Sequence, residues 1–215
     1  MIISRGRGYI FVHIPKTGGT ALSLVLEDRA KKDDILIGDT PKAVRRRNRI
    51  KGVKTAGRLW KHSTLADIDG LVDTDELGDF FLFTLVRNPW DRTVSYYHWL
   101  QRQSFEHQAV ALAKSVGFPE FVANPITLRA LGSNPYTKYM HDAEGRERPA
   151  QYVRLENLAE DLAPVEAHLG FSLKDIPRAN ESKRDPDYRN YYDEPTAELI
   201  AKIAAEDIIR FGYGF

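Results

Sequence analysis

The sequence predicts an α/β fold, a mostly parallel β-sheet flanked by helices, in one domain spanning residues 1–215. Three features predict it. Two apolar runs, 9–14 and 80–86, each lead through a short polar loop into a helical stretch. A weaker third unit pairs a strand at 151–155 with a helix at 157–169. Strands that alternate with helices build parallel sheets, and ligands of such sheets bind where the strands end.

The first strand, Tyr-Ile-Phe-Val-His-Ile, is apolar and aromatic enough for a buried position. Pro15, Gly18 and Gly19 break it, and Thr20 to Leu26 then read as a helix with a wide apolar face. The second strand, Phe-Phe-Leu-Phe-Thr-Leu-Val, is followed by Arg87-Asn88-Pro89-Trp90-Asp91 and a helix through Leu100. Gly170 closes the third unit as a helix C-cap. A last helix opens near Pro195, aligns Leu199, Ile200, Ile203, Ala204, Ile208 and Phe211, and stops at Gly212. Residues 41–57 and 179–192 read as loops.

Composition limits the function classes. At 42% hydrophobic and 28% charged, the chain is an ordinary globular sequence. Its net charge of +1 gives no general attraction to nucleic acid or membranes, so any anion is met by a local cluster. With no cysteine there are no disulfides and no thiolate metal sites, as suits a reducing compartment. No run approaches a membrane span, and the N-terminal residues do not read as a signal peptide. A cytoplasmic location is the expectation. The oligomeric state is not legible.

The loop His13-Ile-Pro-Lys-Thr-Gly-Gly-Thr20 has the make-up of an anion site, which makes the fold P-loop-type. Glycines admit an oxyanion close to the backbone, and the N–H groups and dipole of a helix N-terminus favour negative charge. Thr20 adds a hydroxyl and Lys16 a mobile charge. Yet this is not the G-x-x-x-x-G-K-[ST] loop of nucleoside triphosphatases, and the second strand ends in Arg87 where those enzymes place a carboxylate for magnesium. A cation there repels Mg²⁺ and attracts a second phosphate. Ser95, eight residues on, is placed to reach that same phosphate. The competing reading pairs Arg87 with Asp91 and leaves Ser95 to solvent.

"IPKTGGTAL" and "TLVRNPWDRTVSYYHW" resemble the two cofactor motifs of the sulfotransferases that use 3′-phosphoadenosine 5′-phosphosulfate (PAPS), most of all the carbohydrate branch and its bacterial relatives. The likeness extends to "RLENL", "NESKRDPDYRNYY" and the "EDIIRFGYGF" ending. It implies that Lys16, Thr17, Gly18, Gly19 and Thr20 cradle the 5′-phosphosulfate, and that Arg87 and Ser95 bind the 3′-phosphate. A late loop that closes over the nucleotide in the family points to Lys183 or Arg184 as a further contact. Lys16 would then stabilise the charge growing on the oxygen that bridges phosphate and sulfate. The implied reaction moves a sulfuryl group from PAPS to a hydroxyl, that of a sugar or glycolipid, without a metal.

A histidine between the two motifs serves as base in such enzymes, and His62 has that placement, before a short capped helix. A surface histidine at a helix start is the rival reading. His13 reads as structural, and His98 as either pocket lining or packing. His107, His141 and His168 have no supporting context, and no pair of histidines has metal-ligand spacing. The basic run Arg45, Arg46, Arg47, Arg49 and Lys51 is a solvated loop or a receiver for an acidic acceptor. The alternatives to sulfuryl transfer are a divergent P-loop kinase, which Arg87 opposes, and a non-catalytic nucleotide- or RNA-binding protein. The near-neutral charge opposes the latter, so no nucleic-acid partner is expected.

Overall fold

A computed structural model describes residues 1–173, 176 and 184–215. The strands are β1 (Ile2–Ser4), β2 (Tyr9–Val12), β3 (Ile35–Leu36), β4 (Phe81–Val86) and β5 (Gln151–Arg154). The helices in chain order are α1 (Gly19–Asp28), α2 (Pro41–Arg46), α3 (Pro89–Gln101), α4 (Gln108–Ser115), α5 (Phe118–Ala123), α6 (Pro125–Gly132), α7 (Leu158–Asp161), α8 (Ala163–Leu169), α9 (Glu194–Ile203) and α10 (Ala205–Phe211). Contacts group them into two units. One comprises Met1–Val86 and Tyr136–Asn180, the other Arg87–Pro135 and Glu181–Phe215.

The first unit holds the whole sheet, in the order β3-β1-β2-β4-β5. β2, β4 and β5 are parallel, and β1 is antiparallel to both β2 and β3, so four of the five strands share one direction. Tyr9, Ile10, Phe11 and Val12 are all buried, as a strand covered on both faces requires. Tyr9 and Phe11 pack against Phe83, with ring centroids 5.7 and 5.2 Å apart, in a core shared with Leu22 and Leu26 of α1 and Val165 of α8. Val12 lies opposite Thr84, whose hydroxyl donates to the Val12 carbonyl at 2.7 Å. The chain therefore leaves β2 and β4 at the same edge of the sheet.

Three expectations are corrected here. Residues 41–57 are not all loop: Thr40 caps the N-terminus of α2, with Pro41 in its first turn, and residues Arg47–Ile50 add a 3-10 turn. The expected 157–169 helix is broken at Leu162 into α7 and α8, because Pro164 has no N–H for the i−4 carbonyl. His13 and Ile14 lie beyond β2, in the loop.

In the second unit α3 is the central element. Its Trp90, Val94, Tyr97 and Leu100 enter a core with Val110 and Ala113 of α4, Phe118 and Phe121 of α5, and Ile200 of α9. The expected last helix is two, since the backbone departs from helical angles at Ala204. Of the stretch 179–192 read as a loop, residues Tyr188–Tyr191 form a 3-10 turn.

Asn88 sets the start of α3. Its side-chain oxygen accepts from the N–H groups of Trp90 (3.0 Å) and Asp91 (3.4 Å), while its amide donates to the Gly214 carbonyl (2.8 Å) and the Tyr188 hydroxyl (3.2 Å). Asn88→Ala removes the cap and leaves the buried Trp90 N–H without its acceptor, so it is expected to destabilise the chain by about 2 kcal/mol. Urea unfolding measures this. A loss below about 0.5 kcal/mol, the level of an ordinary surface change, would contradict the role.

Candidate functional site

The loop after β2 is held in a conformation that side chains resist. Lys16 has φ 67°, the only positive φ outside glycine among the described residues, and Gly18 follows with φ 89°. Left-handed backbone costs a residue with a Cβ about 1–2 kcal/mol, so the position of Lys16 is imposed by the loop around it. Gly18 is the N-cap of α1, and no side chain bonds the open N–H groups of the first turn. Those donors, at the head of a ten-residue helix, suit an anion.

Each loop residue has its own reason. A Cβ on Gly18 would lie 2.9 Å from Leu155 Cδ1. A Cβ on Gly19 would lie 2.1 Å from His13 Cδ2, so the space that the sequence assigned to an oxyanion is occupied at this residue by an imidazole. Thr17 is buried and its hydroxyl donates to the Ile14 carbonyl (2.9 Å), which leaves its backbone, not its side chain, to meet a ligand. Thr20 lines a polar recess with His13, Ser23, Glu27, Asp39 and Lys61.

His62 is brought to this loop from 49 residues away. Its Nδ1 lies 2.8 Å from the His13 carbonyl oxygen. A carbonyl only accepts, so Nδ1 holds the proton and Nε2 carries the lone pair. The ring meets those of His13 and Trp60 edge-on, with centroids 4.7 and 4.9 Å apart. Burial lowers its pKa to about 4, well under the ordinary histidine value, against the raising effect of the His13 carbonyl. His62 is thus neutral across the physiological range. The expected capped helix after it is a 3-10 turn, with reciprocal bonds between Thr64 and Asp67. His13 is buried and burial keeps it neutral as well.

The second unit presents a separate charged cluster. Arg87 Nε and one Nη donate to Asp91 Oδ2 at 2.8 and 2.6 Å. Arg184 donates to Oδ1 of the same carboxylate. The pairing weighed in the sequence as a rival to phosphate binding is therefore present. One carboxylate thus serves two guanidiniums that are only 14% and 12% exposed. Arg184 Nη1 is buried with no hydrogen-bond partner among the described residues. A buried donor without a partner is costly, and a ligand oxygen relieves it. Ser95 is half-buried one turn beyond Asp91, on the same face of α3. The sequence pairs Asp91 with Arg87 but gives no local signal for its second partner, Arg184.

The remaining candidates separate. His98 packs edge-on against Tyr191 at 5.2 Å, and burial followed by the Arg184 charge lowers its pKa. His107 caps α4, while His141 and His168 bond the carbonyls of Thr137 and Arg7. Lys183 lies outside the described residues. No group of three metal-ligating side chains occurs among the described residues.

The Sulfotransferase family model matches residues 1–214. The chain belongs to the sulfotransferase family. Its chemistry is sulfuryl transfer. Among solved structures it is similar to mouse sulfotransferase SULT7A1 complexed with PAP, at 17% identity and a TM-score of 0.53, over 95% of this chain and 85% of that one. That likeness shows a shared fold. No curated protein matches.

The packing of His13 against Gly19 in this sulfotransferase is open to a double-mutant cycle. Gly19→Ala is expected to destabilise it by about 1–3 kcal/mol through overpacking. In a His13→Ala background the added methyl has room, and its penalty should shrink by at least about 1 kcal/mol. Equal penalties in both backgrounds would show that the two residues do not compete for space.

Proposed function

We propose that this sulfotransferase uses PAPS as donor and a sugar or glycolipid hydroxyl as acceptor. The observation that supports it most is the Arg87–Asp91–Arg184 cluster, in which Arg184 Nη1 is buried with no hydrogen-bond partner among the described residues. A 3′-phosphate has the charge and the oxygens to satisfy it. The open helix start at Gly18, Gly19 and Thr20 fits the 5′-phosphosulfate, with the backbone of Thr17 and the ammonium of Lys16. PAP in the SULT7A1 structure is in keeping with this nucleotide. The match over residues 1–214 supports one sulfotransferase domain, and the absence of cysteine suits a cytoplasmic setting.

The roles follow from chemistry. When bound, the donor supplies an activated sulfuryl group. Lys16 offers positive charge where the leaving oxygen becomes negative, an interaction stronger in the transition state than in the ground state. His62 Nε2, with its lone pair exposed by the bond at Nδ1, takes the proton of the acceptor hydroxyl. No step needs a divalent cation.

Two measurements test this. Arg184→Ala and Arg87→Ala are each expected to weaken binding of adenosine 3′,5′-bisphosphate by roughly 2–5 kcal/mol, with little change for AMP. Calorimetry decides, and equal losses for both nucleotides would remove the cluster from 3′-phosphate recognition.

The pH profile tests His62. A base must be neutral, and burial lowers the pKa of this one to about 4. Activity is therefore expected to hold as the pH falls through 6.5, the ordinary histidine value, and to drop only towards about 4. His62→Ala should cost about 10²–10⁴ in kcat while nucleotide affinity is kept. An acid limb centred near the ordinary value, or turnover that survives the substitution, would transfer the role to another group.

A further inference from the structure

The nine cations between Pro41 and Ser63 face no acidic residue within that segment, on a chain whose net charge is only +1. Four of them are committed. Lys42 bonds the Glu27 carbonyl, Arg46 and Arg49 bond the carbonyl of Asp34, and Lys61 pairs with Asp39 at 2.6 Å. Arg45, Arg47, Lys51, Lys54 and Arg58 are exposed, and among the described residues their side chains form no ion pair or hydrogen bond. The nearest acids are also occupied. Asp67 and Asp69, on the strip that bonds Ala56 and Gly57, accept from Thr64 and Thr74.

The same segment exposes apolar side chains. Val44 is 46% exposed, Val53 36% and Trp60 46%, three of the six exposed large hydrophobics among the described residues. On α2, Ala43 turns inward and Val44 and Arg45 outward. A water-soluble polyanion gains from the cations alone and leaves Val44, Val53 and Trp60 in water. A bilayer surface with anionic headgroups uses both, since apolar side chains enter the boundary region, indole favours headgroup depth, and cations meet the surface potential.

We propose that residues 41–60 dock this protein on anionic lipid bilayers. The turn from Trp60 to Ser63, closed by the Ser63 N–H to the Trp60 carbonyl at 3.0 Å, ties the docking surface to His62. Resting on the function proposed above, this places the base beside hydroxyls carried by lipids.

Flotation of the full chain with vesicles is the test, using phosphatidylcholine alone against equal parts of phosphatidylcholine and phosphatidylglycerol. Binding is expected only to the charged vesicles, with a blue shift in tryptophan emission that Trp60→Phe abolishes. At about 1 M salt, where the Debye length is about 3 Å, binding should weaken sharply. The variant R45Q/R47Q/K51Q/K54Q should lose at least about 100-fold in affinity, at about fivefold per cation near the surface, with unchanged thermal unfolding. Equal binding to neutral vesicles, or none to charged ones, would overturn the proposal. So would capture of a soluble sulfated polysaccharide or RNA without vesicle binding, which would make the patch a polyanion site. Donor is absent from every arm, so the result is independent of the nucleotide-binding experiments.

Discussion

The imidazole of His13 stands where a side chain on Gly19 would be, and much of the first unit depends on that contact. It sets how closely the chain leaving β2 approaches the first turn of α1, and so it supports the left-handed path through Lys16 and Gly18. The same residue directs His62 through its carbonyl, which fixes the proton on Nδ1. One buried, neutral histidine thereby links the backbone proposed to bind the anion to the proposed base. Its role is positional. A residue that reads from sequence as structural shapes the site because its structure is the site's framework.

Electrostatics divides between the two units in kind as well as in place. Around the loop, the fixed donors are backbone N–H groups and the titratable rings are neutral at physiological pH. Around α3, full charges are held half-dry, two guanidiniums on one carboxylate. Partial charges adapt to a group that changes during reaction, whereas guanidiniums give firm, charge-assisted bonds to one that does not.

How much was legible follows from distance along the chain. The strand, loop and helix around Lys16 were readable because glycines, lysine and apolar runs are local signals, and β2, β4 and β5 lie where their apolar runs predict. The join between Arg184 and Asp91 spans 93 positions and leaves no local mark. The tautomer of His62 depends on a carbonyl 49 residues away, and its lowered pKa on burial that no pattern displays. Helix α2 was missed for another reason. Thr40-Pro41 is a helix-start signal, but the basic run from Arg45 to Lys51 reads equally as a solvated loop. Pro164 was equally visible and was passed over inside an otherwise helical stretch.

Asp91 has a consequence for how ligands leave. Tethered within hydrogen-bonding distance of Arg87 and Arg184, it acts as an internal competitor at high effective concentration for any anion that seeks them. An incoming phosphate must share or displace that carboxylate, so part of its gross attraction is cancelled by bonds already made. Departure is eased by the same amount, because the arginines return to a partner rather than to exposed, unbalanced charge. In the proposed role, two arginines without Asp91 would grip a spent nucleotide longer. With it, the proposed site would hold a second phosphate and still release it between turnovers.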